Sequence, residues 1–378
     1  MTAHENDEAF MRLALSLAEK GMGRTSPNPM VGAVIVKDGR IIGQGYHEAY
    51  GGLHAERNAL LSCSESPEGA DLYVTLEPCC HYGKQPPCTQ AILEAGIRRV
   101  AVGCTDPNPL VAGKGIALLS SRGIQVTEPV LEEACRKLNR IFFHYIRTKR
   151  PFVVLKYAMT LDGKTASPTG ASQWITGEEA RTHVHRQRLR CSAIMTGAGT
   201  VLADDPLLTC RIENGRNPIR IICDSSLRTP LDSRIVRTAR EIPTIFAACH
   251  PPDSLQKRFE EAGCRVFDIP GQDGRPDMNA LMERLGREGI DSILLEGGGN
   301  LNWAAVKSGI VNQVLAYISP KLLGGAASHT PVDGEGFSAI SQALPLSEVS
   351  VTPLGKDFLI QGIVRSQEGG DTACSQES

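Results

Sequence analysis

Apolar positions along this chain recur at two spacings. Phe10, Met11, Ala14, Leu17 and Ala18 lie three or four residues apart, which predicts an amphipathic helix capped by Asp7 and ended by Gly21. The β-branched run 31–37, the turn Asp38-Gly39 and the run 41–46 predict a hairpin. Further on, helical spacing over 54–63, 91–95 and 132–145 alternates with strand-like runs at 71–76 and 100–103. Helices alternating with short apolar strands define a three-layer α/β pattern.

The charged stretch Arg147-Thr148-Lys149-Arg150-Pro151 reads as a solvated connector, and a second α/β series starts after it. Strands are predicted at 152–157, 192–196, 219–223, 244–248, 265–269, 292–295 and 314–318, with helices at 178–190 and 278–288 among them. The segment 309–315 reads either as an apolar contact strand or as ordinary core. This divides the chain into a first domain, residues 1–146, and a second, residues 151–366. Residues 367–378 are too polar to pack and form a flexible tail. Two domains of ordinary size account for all 378 residues.

Charge and cysteine content narrow the function classes. The 40 Lys and Arg nearly balance the 42 Asp and Glu. The first 146 residues hold 14 basic and 16 acidic groups, which leaves 26 of each for the remainder. A nonspecific nucleic-acid binder needs a basic excess to displace counterions, so no nucleic-acid partner is expected. A small anionic substrate needs only a few local cations and stays open. No uncharged run is long enough to cross a membrane, and the first 20 residues lack a basic-then-apolar leader, so the expected compartment is cytoplasmic, with no membrane partner. Twelve cysteines there stay mostly reduced, and most are small core residues.

The strongest chemical signal is His54-Ala55-Glu56, then Glu77-Pro78-Cys79, then Cys88. One imidazole and two thiolates suit Zn²⁺ and leave a fourth tetrahedral vertex for water, whose pKa the metal brings toward neutrality. A carboxylate two residues from the histidine is near the metal without needing to bind it. Glu56 can therefore take the water's proton and deliver it to a leaving amine. The set matches the H-x-E…P-C-x-x-C pattern of zinc nucleobase deaminases except for its longer cysteine gap. Pro86 and Pro87 precede a helix start at Cys88, so 80–85 would be a loop whose ends meet at the metal. Cys80 and His81 are rival ligands; Cys79 is preferred because it directly follows Pro78. In the loop Thr25-Ser26-Pro27-Asn28-Pro29, two prolines stiffen the chain around Asn28, which can offer an amide to a base-like ring or simply turn.

The second half has no G-x-G-x-x-G after a strand. It does have Glu296-Gly297-Gly298-Gly299-Asn300-Leu301 after an apolar strand, where bare amides at a helix start can approach a diphosphate, or which can be a tight connection. Lys156 leaves the first strand, Trp174 lies in a small-residue loop or packs in the core, and Gly197-Ala198-Gly199-Thr200 leads to Asp204-Asp205-Pro206. Arg181 and Arg188, seven apart, share a helix face that suits a phosphate or is merely solvated.

The segments "TSPNPMVGAVIV", "HAE" and "EPCCHYGKQPPC" resemble the deaminase half of the bifunctional riboflavin-biosynthesis deaminase/reductases over residues 5–146, with Cys80 as the departure that touches ligand choice. Residues 151–323 resemble the reductase half. The resemblance implies an α/β fold, with a cytidine-deaminase-like three-layer domain followed by a dihydrofolate-reductase-like α/β domain. It implies His54, Cys79 and Cys88 as zinc ligands and Glu56 as proton shuttle. It implies NADPH at Ala158, Trp174, Thr200, Asp204, Ser225, Gly298, Gly299, Asn300 and Leu301. The substrate, a phosphorylated pyrimidine, would meet Asn28 in the first half and Lys156, Ser172, Arg188, Leu208, Arg211 and Glu296 in the second. A homo-oligomer, dimer or tetramer, is expected. Rival readings are a nucleic-acid editing deaminase, which the balanced charge disfavours, and a zinc-stabilised interaction protein, which has no use for Glu56.

Overall fold

The computed structural model describes residues 3–365; the tail read at 367–378, and residue 366 before it, lie outside the described residues. Contacts divide the chain between Arg150 and Pro151 into two compact units. That border lies beyond residue 146 because the last helix of the first unit continues through Thr148.

In the first unit the strands are β1 (Gly32–Lys37), β2 (Arg40–Tyr46), β3 (Asp71–Val74), β4 (Arg99–Val102) and β5 (Gln125–Thr127). Its helices are α1 (Ala3–Ala18), α2 (Ala55–Leu61), α3 (Cys88–Glu94), α4 (Lys114–Ser121), α5 (Glu132–Leu138) and α6 (Arg140–Thr148). The sheet runs β2-β1-β3-β4-β5, with β1 antiparallel to both neighbours and β3, β4 and β5 parallel. Period-two alternation sends Ala33, Ile35, Leu72, Val74, Val100 and Val102 toward α2, α3 and α4. Val34, Val36, Tyr73 and Ala101 face α1, α5 and α6 on the other side. Helix α2 lies close on β2: a Cβ at Gly45 would come within 2.3 Å of the Ala59 nitrogen and 2.6 Å of the Ala55 oxygen. That approach fixes the start of α2, where His54 and Glu56 stand.

Two sequence expectations change here. Asp7 does not cap α1; it lies within the helix, nearly buried, accepts the Tyr73 hydroxyl proton at 2.8 Å and pairs with Arg99 at 2.5 Å. A partner 92 residues away outweighs a local cap. The helix read at 132–145 breaks at Asn139, whose side chain accepts from the Met30 N–H and donates to the Met30 carbonyl, both at 2.8 Å. Asn139 thereby pins the loop that carries Asn28.

The second unit is one nine-stranded sheet. Its strands are β6 (Phe152–Thr160), β7 (Ala193–Gly197), β8 (Ile219–Cys223), β9 (Thr244–Ala248), β10 (Arg265–Asp268), β11 (Ser292–Leu295), β12 (Val311–Ser319), β13 (Leu346–Leu354) and β14 (Asp357–Val364). Helices α7 (Glu178–Arg190), α8 (Ala198–Asp204), α9 (Arg234–Arg237), α10 (Asp253–Glu261), α11 (Met278–Arg287) and α12 (Gly299–Lys307) flank it. The order is β10-β9-β8-β7-β11-β6-β12-β14-β13, parallel from β10 to β12 and antiparallel at the final hairpin. One core packs α11 and α12 on one face, and a second packs α8, α9 and α10 on the other. The 309–315 segment resolves as core: Val311 and Leu315 are buried in β12, between β6 and β14. The hairpin β13–β14 has no counterpart among the strands read from sequence, because β13 exposes most of its side chains and lacks a buried-strand signature.

Candidate active sites

In the first unit, His54 is the extended residue before α2, Glu56 lies in that helix's first turn, and Cys88 opens α3 directly after Pro87. Cys79 lies five residues past the end of β3 rather than in the strand. Arg57 ties the two helix starts together, donating to the Pro86 and Pro87 carbonyls at 3.3 and 3.0 Å. As a result the His54 Nδ1, Cys79 Sγ and Cys88 Sγ atoms all lie within 4.8 Å of one another. His54 Nδ1 is 3.5 Å from Cys79 Sγ and 3.4 Å from Cys88 Sγ. Three convergent N and S donors can hold one Zn²⁺ with a vertex free. Cys80 points elsewhere, with its sulfur 4.0 Å from the Leu110 carbonyl, and neither Cys80 nor His81 belongs to the convergent set.

The two sulfurs are electrostatically linked. The Cys88 N–H, at the α3 start, donates to Cys79 Sγ at 3.3 Å. Hydrogen bonding from Cys88, with His54 nearby, holds the Cys79 thiol below its ordinary range against burial, while the hydrogen bond to Cys79, with burial, pushes the Cys88 thiol up, so without a metal the pair shares a proton. Glu56 is buried, and burial pushes its carboxyl up to about 6, which suits a group that takes and returns a proton near neutral pH.

His54, Glu56 and Cys79 face a cavity of about 250 Å³ that Asn28, His47, Lys84, Asp106, Asn108 and Phe142 also line. His47 was not singled out in the sequence. Its Nδ1 is 2.9 Å from the Leu53 carbonyl, which can only accept, so that nitrogen carries the proton. The Nε2 then accepts from Asn28 Nδ2 at 3.2 Å, which orients the Asn28 amide. His81 lines the cavity as well, and its Nδ1 is buried without a hydrogen-bond partner among the described residues. Asp106, lifted to about 6 chiefly by burial, is another wall residue with no sequence signal beyond its place in a loop.

In the second unit the chemistry gathers beyond the carboxyl ends of the parallel strands, where open α/β sheets place ligands. Glu296, directly after β11, accepts from Arg188 Nε at 2.8 Å and Arg188 Nη2 at 3.0 Å, and pairs with Lys156 Nζ at 3.4 Å. Burial alone would raise the Glu296 carboxyl, but Arg188 and Lys156 prevail and hold it well below the usual carboxylate range. Arg211 is exposed, and Leu208 places its side chain in the core cluster of β8, β9 and α10.

A separate cavity of about 530 Å³ brings together Thr200, Asp204, Ser225, Gly298, Gly299, Asn300 and Leu301. Ser172, read with the substrate residues, lines this cavity instead, whereas Ala158 and Trp174 do not line it. Trp174 is 61% exposed, which removes core packing as its role, and its ring lies under the Arg181 guanidinium at 4.6 Å. Gly298 has open space where a Cβ would stand, which leaves room for a ligand close to the backbone at the start of α12. Arg228, Arg275 and His329 line the cavity as well; none carried a motif that would have found it.

A zinc-type nucleobase deaminase unit joined to a reductase unit is the class these two sites define. Two family models match accordingly: the cytidine and deoxycytidylate deaminase zinc-binding region over residues 4–104, and the RibD C-terminal domain over residues 151–360. The riboflavin biosynthesis protein RibD of Actinobacillus pleuropneumoniae is 52% identical across 95% of this chain and 96% of its own length. That of Bacillus amyloliquefaciens is 40% identical across 97% and 98%. Among solved structures, a diaminohydroxyphosphoribosylaminopyrimidine deaminase/5-amino-6-(5-phosphoribosylamino)uracil reductase from Thermotoga maritima superposes with a TM-score of 0.84 at 38% identity, covering 96% of this chain and all of that one. Acinetobacter baumannii RibD gives 0.86 at 35% identity, with the same coverage. This chain belongs to the RibD family of bifunctional riboflavin-biosynthesis deaminase/reductases. It is an enzyme with two activities, deaminase and reductase, and its cofactors are zinc and NADPH. No described helix is long and apolar enough to cross a membrane.

Proposed function

We propose that residues 1–146 deaminate a 2,5-diamino-6-ribosylamino-4(3H)-pyrimidinone 5′-phosphate and that residues 151–366 reduce the ribosyl group of the resulting 5-amino-6-(5-phosphoribosylamino)uracil to ribityl. The observation that carries the first step is the convergence of His54, Cys79 and Cys88 beside a buried carboxylate, Glu56, that the donor set does not need. Zinc, when bound there, supplies Lewis acidity at its non-protein vertex. Glu56 accepts a proton from the attacking water, returns it to the ring nitrogen, and moves the second proton to the departing amine, so water and amine become carbonyl and ammonia. Asn28, whose amide His47 orients, is the proposed hydrogen-bond partner of the pyrimidine ring.

For the second step NADPH supplies the hydride, and the chain's task is alignment. Thr200, Asp204, Ser225, Gly298, Gly299, Asn300 and Leu301 are the proposed cofactor contacts, because one cavity gathers them all. Ala158 and Trp174 join them by resemblance alone. Lys156, Glu296, Arg188 and Arg211 form the substrate side, with Ser172 and the backbone at Leu208. Three of the five Arg188 N–H groups already serve Glu296 and the Thr209 carbonyl, so Arg188 offers the phosphate its remaining donors and Arg211 its whole guanidinium.

Cytoplasmic residence fits described cysteines that are all free thiols. Assembly as a dimer or tetramer fits the apolar exposure of the final hairpin, where Val349, Val351 and Phe358 are 55%, 60% and 46% exposed; light scattering on the purified chain tests it. The deciding experiment incubates the enzyme with the diaminopyrimidinone phosphate, with and without NADPH, and follows ammonia and NADPH absorbance separately. Glu56→Ala should abolish ammonia release while sparing NADPH oxidation on the deaminated intermediate. Loss of both activities in a folded, zinc-loaded variant would show that the sites are not independent.

A further inference from the structure

We propose that His185 is a positioning residue of the reductase, holding the 208–211 turn against α7 so that Arg211 meets the substrate phosphate. This rests on the assignment of Arg211 to the phosphate made above. Four contacts tie the turn down. The Arg211 N–H donates to His185 Nδ1 at 3.3 Å, and the Cys210 thiol donates to the His185 carbonyl at 3.5 Å. Arg188 Nη1 donates to the Thr209 carbonyl at 2.9 Å, and the Cys210 N–H donates to Asn217 Oδ1 at 3.0 Å. Two of the four thus end on His185, one on its ring and one on its backbone, and only the ring contact reaches Arg211.

The turn needs an external hold. Leu208 enters it at φ +53°, a left-handed conformation that a leucine adopts only when its surroundings require it. The exposed Arg211 guanidinium forms no ion pair among the described residues, so nothing but its backbone anchor sets where its charge stands. His185 stands on the same face of α7 as Arg181 and Arg188, four residues after one and three before the other.

A histidine suits this place because it is neutral there. Burial, with Arg188, Arg211 and Lys156 around it and only Glu296 opposing, brings the imidazole down to about 4. A neutral ring with its proton on Nε2 leaves Nδ1 free to accept. An imidazolium would present two donors, could not accept the Arg211 N–H, and would repel the neighbouring guanidinium groups.

The test uses the full-length, zinc-loaded enzyme and follows NADPH oxidation with 5-amino-6-(5-phosphoribosylamino)uracil. His185→Leu removes the acceptor and is expected to raise KM for that substrate about tenfold, equivalent to about 1.4 kcal/mol. Its kcat, NADPH affinity and ammonia release should stay within about twofold, the scatter of an undisturbed site. His185→Gln keeps a side-chain oxygen that can accept and should return KM to within about threefold of the parent. A KM left unchanged by His185→Leu would overturn the proposal, as would Gln and Leu variants equally impaired, or a fall in kcat with KM intact. Should the Leu variant fail to fold, His185→Ala set against His185→Gln gives the same contrast. Arg211→Ala separates the two layers. If it leaves KM unaltered, the phosphate assignment fails and takes the proposal with it. If it raises KM while His185→Leu does not, only the positioning role fails.

Discussion

Glu77 is the residue whose replacement should cost the first unit most for the smallest chemical change. It is 3% exposed and stands two residues before Cys79. One carboxylate oxygen accepts the Gly115 and Ile116 N–H groups at 2.9 and 3.3 Å, and the other accepts those of Gly113 and Asp106 at 2.9 and 3.2 Å. One side chain thus holds both ends of the segment that carries Asp106, Asn108 and Val111 into the cavity wall. Glu77→Gln is nearly isosteric, yet an amide has a single oxygen, so two backbone donors would face an NH₂ group. Bonds to a charged group are worth about 1.5–3 kcal/mol each, and a buried donor left unpaired adds a similar cost. Losing two of the four gives a destabilisation of about 3–6 kcal/mol from the bonds alone, a large share of the roughly 5–15 kcal/mol that a domain has. The assay is residual ammonia release and residual NADPH oxidation of the full chain after stepwise heating. The deaminase should inactivate at a distinctly lower temperature and show a raised KM before heating, while the reductase curve should not move. Gly115→Ala tests the same packing independently, because its Cβ would stand 2.1 Å from the Pro78 carbonyl oxygen. A Glu77→Gln enzyme less than about 1 kcal/mol weaker, below the loss of even one such bond, would refute the reasoning.

Other consequences are equally direct. Cys79→Ser should lose zinc by elemental analysis whereas Cys80→Ser should keep it, since only the first sulfur joins the convergent set; equal losses would reopen the ligand choice. Gly298→Ala should raise KM for NADPH about tenfold, the cost of one blocked charge-assisted bond, without lowering the melting temperature. Its extended backbone suits any residue and its Cβ meets open space, so a stability loss with unchanged KM would contradict the cofactor placement. His185 titrates near 4 in the fold and near 6.5 when unfolded, so between those values the unfolded chain binds a proton that the folded chain does not. The contribution of His185 is therefore whole above pH 6.5 and is lost as pH falls toward 4. Urea unfolding at pH 7 and pH 4.5 should show the parent losing more stability than His185→Gln, and a pH-independent difference would count against it.

The local signals were legible where neighbours in sequence do the work. The β-branched run 31–37 with its Asp38-Gly39 turn and the run 41–46, the apolar run 219–223, and the glycine start of α12 depend on residues a few positions apart, and these elements formed where they were read. The metal motif was legible too, because His54 and Glu56 share one helix start and Pro86-Pro87 announce another. Residues whose partners are distant in sequence were not legible. Asp7 looks like a cap until Arg99 and Tyr73 arrive across the sheet, and Asn139 looks helical until the loop at Met30 takes both ends of its amide.

The sequence by itself therefore determined the β1–β2 hairpin, the parallel strands from β6 to β12, the division into two units and the kind of chemistry in each, since those follow from spacing and residue type. Only the tertiary structure brought Cys79 rather than Cys80 into the set with His54 and Cys88, brought His47 and Asp106 to the cavity beside it, and put Ser172 in the wall of the cavity that Thr200 and Gly298 line. It also set His185 among three cations. Each of those depends on directions and burial fixed by contacts between segments tens to hundreds of residues apart, and no local pattern encodes where such segments meet.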